Sequence, residues 1–202
     1  MRRYRLGLAL VVLCLTVGYA QAAERLMVYT SMKESMFAKL RDDFSAKNPG
    51  VALDYYSAGA GKLMAKIAAE RESGHLTVDV LWHSEVPDFI KLAQEGMFEK
   101  YISPEAVNVR STVKSEEGYF TPVRNGTLGI AYNTRRVSAP PQEWSDLESA
   151  TFKGAVAIAN PALSGTAFVT VSMLLKEFGW GYFEKLKANG AMVGHGSGQV
   201  VN

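Results

Sequence analysis

Apolar residues come in short blocks along this chain, and each block stops at small hydroxyl or glycine residues. Leu26–Tyr29 ends at Thr30 and Ser31, and 51–56 ends at Ser57-Ala58-Gly59-Ala60-Gly61. The run 78–82 ends at His83 and Ser84, and 128–132 ends at Asn133 and Thr134. The run 155–159 ends at Asn160, before Pro161-Ala162-Leu163-Ser164-Gly165-Thr166. Blocks of four to six residues bounded by such breakers read as buried strands.

Helical spacing follows most of these breaks. Met36, Phe37, Leu40 and Phe44 predict a helix over 33–47, which Asn48-Pro49-Gly50 ends. Leu63, Met64, Ile67 and Ala68 give one side of a helix over 62–72, and Val86, Phe89, Ile90 and Ala93 one over 86–94. After a less regular stretch, 119–123 and 128–132 read as strands around Arg124-Asn125-Gly126-Thr127. A short helix is predicted at 143–148, a strong one at 166–178, and another at 181–188. Strands alternating with helices imply a parallel sheet in an α/β fold. Ligands of such sheets sit beyond the carboxyl ends of the strands, where the hydroxyl- and glycine-rich breaks fall.

The first residues stand outside this pattern. Arg2, Arg3 and Arg5 precede an apolar run from Leu6 to about Val17, and Ala20-Gln21-Ala22 follows. That is the layout of a secretory signal peptide over 1–22, cut before Ala23 and too short to span a bilayer comfortably. Its removal changes the chemistry on offer. Three of the 22 basic residues lie in it, which leaves 19 against 20 acidic ones in place of a formal charge of +2. No basic footprint for nucleic acid remains. The single cysteine, Cys14, goes with it, so the exported chain offers no disulfide and no thiol nucleophile.

Three loops carry the chemistry of anion binding. Ser164-Gly165-Thr166 follows a strand and opens a helix, so its N–H groups, hydroxyls and helix dipole suit a phosphate or carboxylate. Capping of the helix by Ser164 or Thr166 is the plainer role. Ser57, Gly59 and Gly61 have the same logic after the second strand, against a turn that needs glycine for backbone reasons alone. Thr30 and Ser31 form the third loop. Convergence of the three would define a ligand with several anionic oxygens. Arg124 and Asn125 are placed to meet ligand charge, or to serve at the surface. His83 at a strand end and His195 beside Gly196 are candidates for a sugar hydroxyl or an anion; His75 reads as exposed. A metal held by His83 and His195 together is the weaker reading, and no cofactor is expected.

The segments LMVYTS (26–31), YSAGAGK (56–62), VDVLWHS (78–84), NGTLGIAYNT (125–134), AIANPALSGT (157–166) and GHGSGQVVN (194–202) occur in one order. In that order they resemble the type 2 periplasmic solute-binding proteins of ABC importers. Within these they resemble the ferric-ion-binding-like branch, and most nearly its hexose-phosphate-binding members. The resemblance implies two α/β lobes, 23–122 and 123–202, the second incomplete, that close on a ligand by a hinge. It also implies a periplasmic monomer that delivers a small anionic solute to a permease in the inner membrane. Ferric iron is the alternative cargo. The family's iron binders use a first-loop histidine and a later tyrosine pair, whereas the first loop here reads Thr30-Ser31-Met32-Lys33-Glu34. Tyr55 and Tyr56 are adjacent on a strand, where alternation turns their rings to opposite faces. A secreted hydrolase is the reading from another class. It finds no Gly-x-Ser-x-Gly and no His-Glu-x-x-His, and His83-Ser84-Glu85 are only sequence neighbours.

Overall fold

The computed structural model describes residues 24–109, 115, 117–124 and 126–201; the signal peptide expected over 1–22 and the candidate Asn125 lie outside them. Two parallel sheets form, of three and two strands. The first alternates β1 (Glu24–Thr30), α1 (Glu34–Lys47), β2 (Val51–Ser57), α2 (Ala60–Glu72), β3 (Val80–Trp82) and α3 (Val86–Gln94). Its strand order is β2-β1-β3. The register sets Thr30 beside Ser57 on one side and Trp82 on the other, so three strands end on one edge. The second sheet joins β4 (Ala157–Ala159) to β5 (Met192–Gly194) across α4 (Gly165–Phe178) and α5 (Trp180–Ala188). Ala159 lies beside Gly194, and α6 (Ser197–Val201) follows.

Strand alternation explains the core of the first sheet. Val28 and Tyr29 are neighbours on β1 and point to opposite faces. Val28 packs with Phe37 of α1 and Leu53, joined by Trp82 and Tyr55. Tyr29 packs with Leu63 and Ile67 of α2. A helix therefore covers each face, which is why these strands read as continuous apolar runs rather than alternating ones. Tyr55 and Tyr56 part as alternation requires: Tyr55 lies on Phe37 and Tyr56 on Tyr29. Asn48 ends α1, its side-chain amide and its backbone N–H both donating to the Phe44 carbonyl.

Several segments depart from expectation. Residues 119–123 and 128–132 form no strands. Pro122 has no N–H to give a ladder, Gly126 and Gly129 weaken the rest, and no neighbouring strand pairs with either segment among the described residues. β5 and α6 are unexpected on either side of His195 and Gly196. The short helix at 143–148 is a tighter 3₁₀ turn, Trp144–Glu148. On α3 the buried residue is Leu92, whereas Val86 and Ile90, placed on its apolar face, are exposed.

One partly buried polar network ties the first sheet to α2. The Tyr29 hydroxyl lies 2.5 Å from a Glu70 oxygen and 2.7 Å from the Thr77 hydroxyl, and Lys66 lies 2.8 Å from the same carboxylate. Burial raises the Glu70 pKa, but hydrogen bonds from Lys66, Tyr29 and Thr77 outweigh it and bring the carboxyl from 4.5 down to about 2. A group depressed on folding stabilises the native state above its unfolded pKa and loses that contribution as pH falls through the folded one. The Glu70 contribution is therefore whole above pH 4.5 and fades toward pH 2. Glu70→Gln is expected to lower stability at pH 7 and to flatten the loss between pH 5 and pH 2, read by urea unfolding across that range. An unchanged acid profile would exclude this network as its source.

Candidate functional site

The common edge of β1, β2 and β3 fixes the first loop tightly. Thr30 Oγ1 accepts from the Met32 N–H at 3.1 Å, and the Ser57 hydroxyl donates to the Met32 carbonyl at 2.7 Å. The Ser31 N–H donates to Trp82 and the Ala58 N–H to Thr30. Thr30 is wholly buried. Thr30 and Ser57, both candidate ligand contacts, thus use their hydroxyls to shape the loop, while Ser31 sits half-buried beside them.

Beyond β3 lies a charged cluster. The His83 side chain is fully buried and stacks on Phe89 at 4.7 Å. Its Nδ1 lies 2.8 Å from Glu85 Oε2, and the Ser84 hydroxyl donates to Glu85 Oε1 at 2.7 Å. Burial raises the Glu85 pKa, but the hydrogen bonds from His83 and Ser84 outweigh it and leave the carboxyl below its usual range. Asp88, one helical turn on, has its Oδ2 3.7 Å from His83 Nε2. Burial, with the charge of Glu85, raises the Asp88 pKa against the opposing pull of His83 and Lys91.

The second sheet brings the helix N-terminus. Ser164 caps α4, its hydroxyl accepting from the Ala167 N–H at 3.4 Å and lying 3.0 Å from the Ser197 hydroxyl. Gly165 is buried as the first residue of the helix, and the Thr166 side chain is exposed. The first N–H groups of a helix have no partner within it, and the dipole favours negative charge there.

Glycine lets the loops of the two sheets touch. A Cβ on Gly59 would collide with the Leu163 carbonyl oxygen, and one on Gly61 with that of Ala162. A Cβ on Gly165 would collide with the Glu85 carboxylate. Gly59 and Gly61 therefore serve close backbone approach, which brings the second loop against the segment leading into the α4 N-terminus. Glu85, which sequence reasoning passed over, is 4% exposed because the other sheet covers it. Its one signal was position, a lone acid between the third strand and the helix opened by Val86-Pro87.

The remaining candidates lie apart from this junction or at its margin. His195 is exposed, and its backbone N–H donates to the Gln199 side chain at 2.7 Å. The Gly196 carbonyl accepts from Gln199 and Val200 at the start of α6. Arg124 is exposed on the connecting stretch.

The family of bacterial extracellular solute-binding proteins matches residues 78–199. An uncharacterised protein of Haemophilus influenzae is 28% identical over 171 residues, covering 80% of this chain and 49% of its own length. A proposed 2-aminoethylphosphonate-binding periplasmic protein of Salmonella typhimurium is 26% identical over 161 residues, covering 77% and 46%. The chain thus spans about half the length of the curated relatives it matches. Among solved structures, the periplasmic binding protein AfuA of Actinobacillus pleuropneumoniae, with fructose-6-phosphate bound, superposes with a TM-score of 0.78 at 26% identity. The match covers 88% of this chain and 59% of that one. Iron-bound HitA of Pseudomonas aeruginosa shares the fold, with a TM-score of 0.67 at 20% identity over 88% and 58%.

Proposed function

We propose, from the premise that this chain belongs to the bacterial extracellular solute-binding proteins, that it captures a small phosphorylated solute for an ABC importer in the periplasm. The observation that carries this is the meeting of the α4 N-terminus, Ser164 and Gly165, with the loop ends of the first sheet. A phosphoryl group has several anionic oxygens, and the first N–H groups of a helix, with the exposed Thr166 hydroxyl beside them, are donors suited to it. Two relatives support the class: AfuA is seen with fructose-6-phosphate, and the Salmonella protein is named for a phosphonate. A phosphorylated sugar or a related organophosphate is accordingly the substrate class.

In this reading 1–22 is a cleaved leader, 23–122 and 123–202 are the two lobes, and the partner is an inner-membrane permease. The protein works as a monomer that binds without turnover. Release of inorganic phosphate from a sugar phosphate by the purified protein would overturn that. Iron is less well supported. The likeness to HitA is one of fold, the first loop has no histidine, and the rings of Tyr55 and Tyr56 lie on different partners.

A thermal-shift panel of hexose phosphates, 2-aminoethylphosphonate, inorganic phosphate and ferric citrate tests the class, since ligand that binds the native state raises the melting temperature. A shift with ferric citrate alone would sink the phosphate reading. Ser164→Ala combined with Thr166→Ala is expected to weaken the binding of the shifting phosphate by about 1–3 kcal/mol, the usual loss for hydrogen bonds to a charged group. Losing the Ser164 cap costs stability as well, about 1 kcal/mol. Titration calorimetry on the folded variant, with its melting temperature as control, separates the two effects.

A further inference from the structure

We propose that His83 and Asp88 bind a divalent transition-metal ion of the zinc class, with Glu85 orienting the imidazole. The inference stands apart from the identity of the solute.

His83 Nε2 carries the argument. Among the described residues it is the one buried side-chain nitrogen or oxygen left without a hydrogen bond. The other ring nitrogen settles which atom holds the proton. Nδ1 lies 2.8 Å from Glu85 Oε2, and two bare acceptors do not rest at that distance. The proton is therefore on Nδ1, and the longer 3.2 Å approach of the Glu85 backbone N–H to the same atom is secondary. A carboxylate on one imidazole nitrogen is the arrangement that turns the other toward a metal and raises its basicity.

The lone pair of Nε2 then faces Asp88 Oδ2 at 3.7 Å. That is too far for a hydrogen bond and sets two acceptors against each other. An ion at the usual ~2.1 Å from each atom fits between them with an angle of about 120° at the metal, near tetrahedral. Imidazole nitrogen with carboxylate oxygen is a donor pair zinc accepts. Asp88 keeps about a third of its side chain exposed, 32%, so water can complete the coordination from that side. The two positive charges of such an ion would also offset the two carboxylates, Glu85 and Asp88, which gather with His83 so that one ligand atom of each lies within 4.8 Å of the others. The competing occupant is a second proton, which would make His83 an imidazolium between the two acids.

Metal-stripped protein titrated with zinc chloride, followed by calorimetry and by the imidazole ¹⁵N resonances, decides between them. One saturable zinc per chain is expected, with the His83 Nε2 resonance moving on addition. Asp88→Asn, at a partly exposed position that does not threaten folding, is expected to weaken zinc at least ~tenfold, and Glu85→Gln by roughly tenfold, the range for losing a supporting carboxylate. His75→Ala and His195→Ala are expected to leave it unchanged. The proposal fails if zinc does not bind, if Asp88→Asn binds it like the wild type, or if either of the other histidines proves to be the ligand. It fails equally if His83 holds protons on both nitrogens at pH 7 and zinc does not displace one.

Discussion

Phe37→Ala is expected to lower stability by about 3–5 kcal/mol, the range for removing a buried phenylalanine. Phe37 is 1% exposed and is the buried residue of α1. It fills the space between Val28 and Leu53, with the Tyr55 ring at 4.8 Å and the Trp82 ring at 6.0 Å. Its helix has little else to hold it, since Met36 is 53% exposed and Leu40 and Phe44 are only half-buried. The cavity would open at the base of the loop that carries Thr30 and Ser31, so the site edge loosens with the helix. Urea unfolding measures the loss, with Met36→Ala as a surface control expected to stay within about 0.5 kcal/mol. A loss below about 1 kcal/mol for Phe37→Ala would mean that α1 is held by contacts other than this one.

Legibility follows the same physics. The βαβ order of residues 24–94 showed in the sequence because β1 is packed on both faces, by α1 and α2, and those two helices each turn an apolar stripe toward it. Asn48-Pro49 marks a helix end by local chemistry, and local chemistry survives folding. The stretch 119–132 misled because an apolar alternation describes a strand only when another strand pairs with it. β5 escaped notice because three residues with two exposed side chains, Met192 and Val193, present no pattern. On α3, apolar residues run around much of a nine-residue helix, so spacing alone cannot choose Leu92 over Ile90 as the inward one.

The candidate site divides in the same way. Hydroxyls and glycines at strand ends were visible as residue types, but not their partners. Thr30 and Ser57 turn out to bond within the first loop. Glu85 was invisible as a buried acid because its burial comes from Gly165, eighty residues away in the chain. A contact between two sheets leaves no periodic trace in either.

Gly61→Ala tests that contact, and its two effects have opposite signs. Gly61 lies in the first turn of α2 with an ordinary backbone conformation. Alanine is favoured over glycine inside a helix by about 1 kcal/mol, so the first sheet by itself should hold or gain stability. The new Cβ, however, would collide with the Ala162 carbonyl oxygen, and a backbone oxygen cannot rotate aside as a side chain can. Forcing an extra methyl into a packed contact costs about 1–3 kcal/mol. If the solute is held where the two loops meet, that cost falls on the bound state, and each 1.4 kcal/mol is tenfold in affinity. The expected result is a melting temperature without solute equal to or above the wild type, with roughly tenfold weaker binding of the phosphorylated sugar that shifts it. Gly50→Ala is the control, because a Cβ there meets nothing within 4 Å. Unchanged affinity in Gly61→Ala would mean that this loop contact takes no part in holding the solute. Lost stability without solute would mean instead that the two sheets depend on the contact to fold.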